Sequence, residues 1–263
     1  MSLSISALQT PTANPRGRNV ITISSGKGGV GKTWLAITLA HALARAGRRT
    51  LLFDGDLGLA NVDVQLGFSP ERDLGGVLAG EYRLRDAVSP LADTGFDIIS
   101  GRSGSGALAS LHQSRLTALR ADLVAMAADY DDVIVDLGAG IEQSVRLLTV
   151  GAGRCLVVCT DEPTALTDAY AFIKVTSQES ASNDLRIVVN MAPSESDGMR
   201  IYQTLHKVCE NFLGLSPALA GIVRRDTHVR DAIRYQTAML ARHPTAEAAA
   251  DVEKIANGLT AKG

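Results

Sequence analysis

Apolar residues in this chain gather in short, nearly unbroken runs. Val20-Ile21-Thr22-Ile23, Thr50-Leu51-Leu52-Phe53, Val133-Ile134-Val135 and Cys155-Leu156-Val157-Val158-Cys159 are too continuous for strands with one wet face. They read as strands buried on both sides, as in a parallel sheet. Strands are predicted at 20–24, 50–54, 96–100, 132–136, 154–159, 186–190 and 219–223. The stretches between them predict helices near 32–46, 107–128, 142–150, 164–178, 198–212, 227–236 and 245–258. Such alternation implies right-handed βαβ units. The expected fold class is α/β, a doubly wound, mostly parallel sheet of seven to eight strands with helices on both faces.

No internal repeat or linker interrupts the pattern, so residues 18–263 read as one domain. Residues 1–17, rich in Ser, Thr, Pro and Asn, read as a disordered or partner-binding tail without the apolar core of a secretion signal. No segment reaches the ~20 apolar residues of a membrane span, and the expected location is the cytoplasm. The last predicted helix places Ala249, Val252, Ile255, Ala256 and Leu259 on one face, but its charged residues are Glu247, Asp251 and Glu253 against a single Lys254. A membrane-surface helix would carry a Lys/Arg-rich face, so packing against the core is expected.

Composition narrows the picture. Hydrophobic residues make up 46% of the chain but aromatics only 4%, so the core is built from Val, Ile, Leu and Ala. A net charge of −2 gives no overall pull toward nucleic acid or an anionic membrane. Cys155 and Cys159 share a strand face but lie roughly 13 Å apart, which excludes a mutual disulfide or a shared metal. With Cys209 they are read as packing residues.

The chemistry is concentrated in Gly26-Lys27-Gly28-Gly29-Val30-Gly31-Lys32-Thr33, which fits G-x-x-x-x-G-K-[ST] between a strand and a helix. Glycines let consecutive N–H groups turn inward onto phosphate oxygens, and the following helix adds its own free N–H groups. Lys32 is expected at the β- and γ-phosphates and the Thr33 hydroxyl on Mg²⁺. Lys27 is either a solvated charge or a further phosphate contact; its place inside the loop favours the contact. Asp54 and Asp56, at the tip of an apolar strand, can face one Mg²⁺–water cluster; a surface turn rich in Asp and Gly is the alternative. Val133-Ile134-Val135-Asp136 supplies a second acidic tip, suited to holding Mg²⁺ directly or through water, and Gly138 can bring an N–H to the γ-phosphate.

The double-lysine loop, the segment Asp54 to Asp63 and Asp136-Leu137-Gly138-Ala139-Gly140 resemble the deviant-Walker ATPases of the MinD/ParA group. With Glu162-Pro163-Thr164 through Tyr170, they are most similar to its flagellar-number regulator branch, called FlhG, FleN or YlxH. The likeness covers roughly residues 18–240. It implies a P-loop NTPase of the SIMIBI type that binds ATP and Mg²⁺, hydrolyses ATP slowly and dimerises face to face around it. Lys27 would then cross to the partner's phosphates, Asp56 would orient the attacking water, and Asp54 would support Lys32 and the Mg²⁺ shell. Lys27, Lys32 and Asp56 form the implied catalytic set, and Thr33, Asp56 and Asp136 the metal set. Asn61 would lie near the interface, Asn190 would read adenine, and Arg224 with Asp226 would close the other side of the base. Trp34 either packs under the loop or lies near the interface.

The resemblance also implies protein partners: an SRP-like GTPase, a flagellar switch-complex component or a transcriptional regulator. Residues 1–19 contain no Asp-Gln-Ala-type motif of the kind that docks on the GTPase. A DNA-partitioning ATPase of the ParA kind is the rival reading, because Arg224, Arg225, Arg230 and Arg234 cluster in sequence; Asp226 and Asp231 dilute that charge. A metal-cluster carrier is disfavoured, since the segment from Asp136 to Gly140 contains no cysteine.

Overall fold

The computed structural model describes residues 17–101, 112–180 and 184–261. Eight strands join in one sheet: β1 (Gly17–Ser25), β2 (Thr50–Gly55), β3 (Ser89–Leu91), β4 (Phe96–Ile99), β5 (Asp132–Ala139), β6 (Ala152–Cys159), β7 (Asp184–Ala192) and β8 (Ala218–Arg224). Their order is β3-β4-β2-β5-β1-β6-β7-β8, parallel except that β3 runs against β4. Strand residues alternate between two apolar layers. Val20, Leu51, Phe53, Val133, Val135 and Val157 enter one core, and Ile21, Ile23, Leu52, Ile134, Leu156 and Val158 enter the other. Each fully buried side chain of this size contributes about 1.5–3 kcal/mol.

Helices cover both layers. On the first lie α3 (Leu74–Ala79), α4 (Gln113–Met126), α5 (Gln143–Val150), α6 (Pro163–Glu179) and α7 (Glu195–Leu213). On the second lie α1 (Lys32–Arg45), α2 (Val62–Leu66), α8 (Thr227–Arg234), α9 (Met239–Arg242) and α10 (Glu247–Thr260). The apolar face of α10 (Ala248, Ala249, Val252, Ile255, Ala256) is buried, packed on β8 and α1.

All seven expected strands are present. The added β3 is three residues long, carries Pro90 and lies at the sheet edge, where proline costs no ladder bond. α4 begins at Gln113 after the extended His112; the expected helical residues 107–111 lie outside the described residues, as do residues 1–16 and 102–106. α7 starts at Glu195 because the Ser194 side chain accepts from the N–H of Asp197. The short α2, α3 and α9 were not expected, since four to six residues carry too little periodicity.

Topology fixes where a ligand can bind. From β1 the chain moves to β2 and β4, returns at β5 beside β1, then crosses to β6, β7 and β8 on the other side. The crevice at that reversal, beyond the C-terminal ends of β1, β5 and β2, is the expected site in such sheets.

Candidate nucleotide site

The glycine loop leaves β1 at Ser25 and enters α1 at Lys32, in that crevice. It is threaded between α6 and the tip of β7. A Cβ on Gly26 would lie 2.1 Å from the Asp168 carbonyl oxygen, and one on Gly31 would lie 2.5 Å from Asn190 Nδ2. Gly31 also has φ 88°, a left-handed conformation that glycine adopts without strain. Two positions therefore demand glycine for separate reasons. The N-terminus of α1 has no side-chain cap and no acidic residue in its first turn. Its N–H groups are left for an external anion.

Lys32 is 8% exposed. Its ammonium donates to Ser25 Oγ at 3.0 Å, and Ser25 Oγ donates to the Lys27 carbonyl at 2.6 Å. Burial drives the Lys32 pKa down; the nearby Asp136 and Asp56 carboxylates oppose that shift.

The carboxylates stand on adjacent strands. Asp54 of β2 is in register with Asp136 of β5, and Asp136 with Ile23 of β1. Asp54 is fully buried; its Oδ2 accepts from Asn61 N at 3.2 Å and Val62 N at 3.1 Å. Its pKa is pushed up to about 8, first by burial and then by Asp136, despite those N–H donors. Asp136 rises to about 7 through burial, opposed by a hydrogen bond with Thr33 and by the charge of Lys32. Its Oδ1 is buried without a hydrogen-bond partner. Asp56 Oδ1 accepts from Gly58 N at 3.1 Å and Leu59 N at 2.9 Å, and lies 3.3 Å from where a Cβ on Gly138 would be. A side chain at position 138 would crowd that carboxylate.

This donor set fits a divalent cation: hard oxygen ligands, an orphaned carboxylate oxygen and a hydroxyl at the same point. Among the described residues no three His, Cys, Asp or Glu side chains form a complete metal cage. That suits Mg²⁺, which takes one or two carboxylates and completes its shell with phosphate oxygens and water.

The expected residues do not all converge. Lys27, Gly28, Gly29, Val30, Gly31, Lys32, Thr33, Asp54, Asp56, Asp136 and Gly138 belong to this edge. Asn190 lies beneath the loop, 2% exposed; its Nδ2 donates to the Val30 carbonyl at 2.8 Å and its Oδ1 accepts from Met191 N at 2.9 Å. Its amide braces the loop. Asn61 ends its loop with Nδ2 on the Leu59 carbonyl. Trp34 is 5% exposed and packs in the second apolar layer, with no partner for Nε1 among the described residues. The Arg224 guanidinium binds Asp251 at 2.8 and 2.9 Å and Glu247 at 2.6 Å, fastening β8 to α10. Asp226 caps two helices, accepting from His228 N of α8 at 2.9 Å and Ala248 N of α10 at 3.3 Å. Charge pairing and capping consume both side chains.

Sequence reading missed three supports. Ser25 links Lys32 to the loop backbone. Glu162 and Thr164 hold the Lys27 ammonium, the first by a short ion pair and the second at 2.8 Å. Ser25 abuts the motif and was within reach of inspection; Glu162 is brought to Lys27 across 135 residues only by the fold.

Comparison with known proteins follows this geometry. Residues 21–238 match the CobQ/CobB/MinD/ParA nucleotide binding domain. The antiactivator FleN of Pseudomonas aeruginosa is 38% identical over 237 residues, covering 90% of this chain and 84% of that protein. The flagellum site-determining protein YlxH of Helicobacter pylori is 33% identical over 191 residues, covering 73% and 64%. The cell-division ATPase MinD of Pyrococcus furiosus shares the fold with a TM-score of 0.78 at 22% identity, over 92% of this chain and 98% of that one. The MinD of Pyrococcus horikoshii, solved with Mg-ADP, is equally similar in fold at TM-score 0.78. On the domain match and the FleN identity, this chain belongs to the MinD/ParA-type nucleotide-binding family, among the relatives of FleN and YlxH.

Proposed function

We propose that this single-domain chain is a Mg²⁺-dependent ATP switch that dimerises on ATP, hydrolyses it slowly and regulates flagellar number or placement through protein partners. One observation carries the reading: the buried Lys32 lies near Asp136 and Asp56 at the uncapped N-terminus of α1, where one oxygen of Asp136 has no hydrogen-bond partner among the described residues. Bound Mg²⁺ would neutralise that acidic edge, with Thr33 and Asp136 as its protein ligands and Asp56 near it. Lys32 would bind the β- and γ-phosphates, and Asp56 would hold the attacking water. The Lys27 ammonium is tied to Glu162 and Thr164 within its own chain. Crossing to a second subunit requires it to exchange that carboxylate for the partner's phosphates. Such an exchange makes dimerisation depend on triphosphate and places positive charge where the transition state gathers negative charge.

The flagellar assignment is supported by the FleN and YlxH identities. Sedimentation with ATP tests the switch. Asp56→Ala is expected to accumulate as an ATP-bound dimer with phosphate release reduced about a hundredfold or more, and Lys27→Ala to bind ATP as a monomer. A Lys27→Ala chain that dimerises and turns over normally removes the crossing lysine. An ATP-dependent shift of duplex DNA at moderate salt would favour the partitioning reading instead.

A further inference from the structure

The acidic residues that dilute the basic run around α8 in sequence do not do so in space. Asp226 is occupied by His228 and by the N–H of Ala248. Asp231 accepts from Arg242 Nε at 2.6 Å and meets His243 Nε2 at 2.7 Å. Val229 and Ala232 point into the core. Past the exposed Thr227 and His228 at its start, α8 turns outward Arg230, Ile233 and Arg234, three positions that share one helical face. Neither arginine makes an ion pair among the described residues, and Ile233 is 37% exposed. Beside them Tyr235 is 57% exposed, with the Arg242 guanidinium 4.0 Å over its ring. The patch continues onto α2: Gln236 Nε2 donates to the Val64 carbonyl at 2.9 Å, and Val64 is 53% exposed.

We infer that this face docks an acidic segment of a partner protein, with apolar residues on Ile233, Tyr235 and Val64 and carboxylates on Arg230 and Arg234. Unpaired guanidinium groups flanking exposed apolar and aromatic side chains are the composition of a protein-binding centre. A nucleic-acid backbone would use only the two charges and leave the apolar residues idle. The surface rests on the proposed switch for its timing alone. Asp54, in the carboxylate cluster, accepts the N–H groups of Asn61 and Val62 where α2 begins. Changes at the phosphate edge therefore reach Val64 directly, and docking is expected to depend on nucleotide state.

The test places a photo-crosslinking amino acid at Ile233 in the full chain, in the cells that make it, and sequences the crosslinked peptide by mass spectrometry. The expected product is a protein segment with Asp or Glu flanking apolar residues. Its yield should fall at least fivefold when Arg230→Glu and Arg234→Glu are combined, and less with Arg234→Gln alone. Purified, the double variant should keep its ATP affinity within twofold. Crosslinks to nucleic acid, to a second copy of the chain or to a neutral or basic segment overturn the proposal. So does the absence of a crosslink, or a yield indifferent to charge reversal. Should the expected crosslink form in a chain that calorimetry shows does not bind ATP, the surface stands and the nucleotide reading falls.

Discussion

The C-terminal ends of the strands carry two clusters of buried charge, and they are settled in opposite ways. At β8, Asp251 is 4% exposed at its side chain and receives two bonds from the Arg224 guanidinium and one from the Arg224 N–H. Burial pushes its pKa up, but Arg224 outweighs that and holds the carboxyl below its ordinary range. At β2 and β5, Asp54 and Asp136 stand side by side in register, with the Lys32 ammonium near Asp136 and Asp56, and burial raises Asp54 and Asp136 to about 8 and about 7. One oxygen of Asp136 has no hydrogen-bond partner among the described residues. A buried charge that finds its partner within the chain is a strut. A buried carboxylate without an internal partner, at a topological switch point, is a candidate ligand site.

The sharpest way to break this contrast is to remove the ammonium at the unsettled cluster. Lys32→Ala is expected to weaken ATP binding about a thousandfold, read by calorimetry, while the urea midpoint changes little. Comparable ATP affinity in that variant would make the loop lysine another strut. At the settled cluster the effects should be reversed. Arg224→Ala leaves the buried Asp251 with Lys254 and the backbone N–H of residue 224 as its partners, and should cost about 3 kcal/mol of stability, with ATP affinity preserved in the folded fraction. Loss of ATP binding without loss of stability would return Arg224 to the nucleotide site.

A third buried group calibrates what burial does by itself. His41 in α1 is 5% exposed, its Nδ1 has no partner, and its pKa is lowered to about 4 by burial and by Arg45. The unfolded chain takes up this proton near pH 6.5 and the folded chain only near pH 4. Stability is therefore lost as pH falls through that window, by up to roughly 3 kcal/mol. His41→Leu should flatten the denaturation profile between pH 6.5 and 4; an unchanged slope would show that the imidazole is not the source.

The smallest effect sharpens the contrast most. For Asp136 the sign runs the other way, because a raised carboxyl pKa makes the folded chain bind the extra proton and lose stability as pH rises from about 4 toward 7. Asp136→Asn should therefore raise the ligand-free chain's stability at pH 8, read by urea denaturation, while lowering affinity for Mg-ATP. A destabilised Asp136→Asn would place this carboxylate with Asp251.

Much of this was legible in the chain. The continuous apolar runs announced buried parallel strands because both faces of each are covered. The loop was readable because its chemistry is local: glycines, a lysine and a threonine act within eight consecutive residues. Asp54 and Asp136 were readable because a carboxylate at the end of an apolar strand has few structural uses. The intramolecular partners of Arg224 and Asp226 were not legible, for the converse reason. An arginine or aspartate near a predicted site looks alike whether it faces a ligand or a helix end, and α10, which claims both polar residues, lies more than twenty residues away.

The sequence by itself determined the element order, the phosphate loop and the identity of the acidic tips, since each rests on neighbours along the chain. Only the tertiary structure decided which charges remain unspent. That depends on which side chains from distant segments arrive first, as Glu162 does at Lys27, Asn190 beneath Val30, and Asp251 at Arg224.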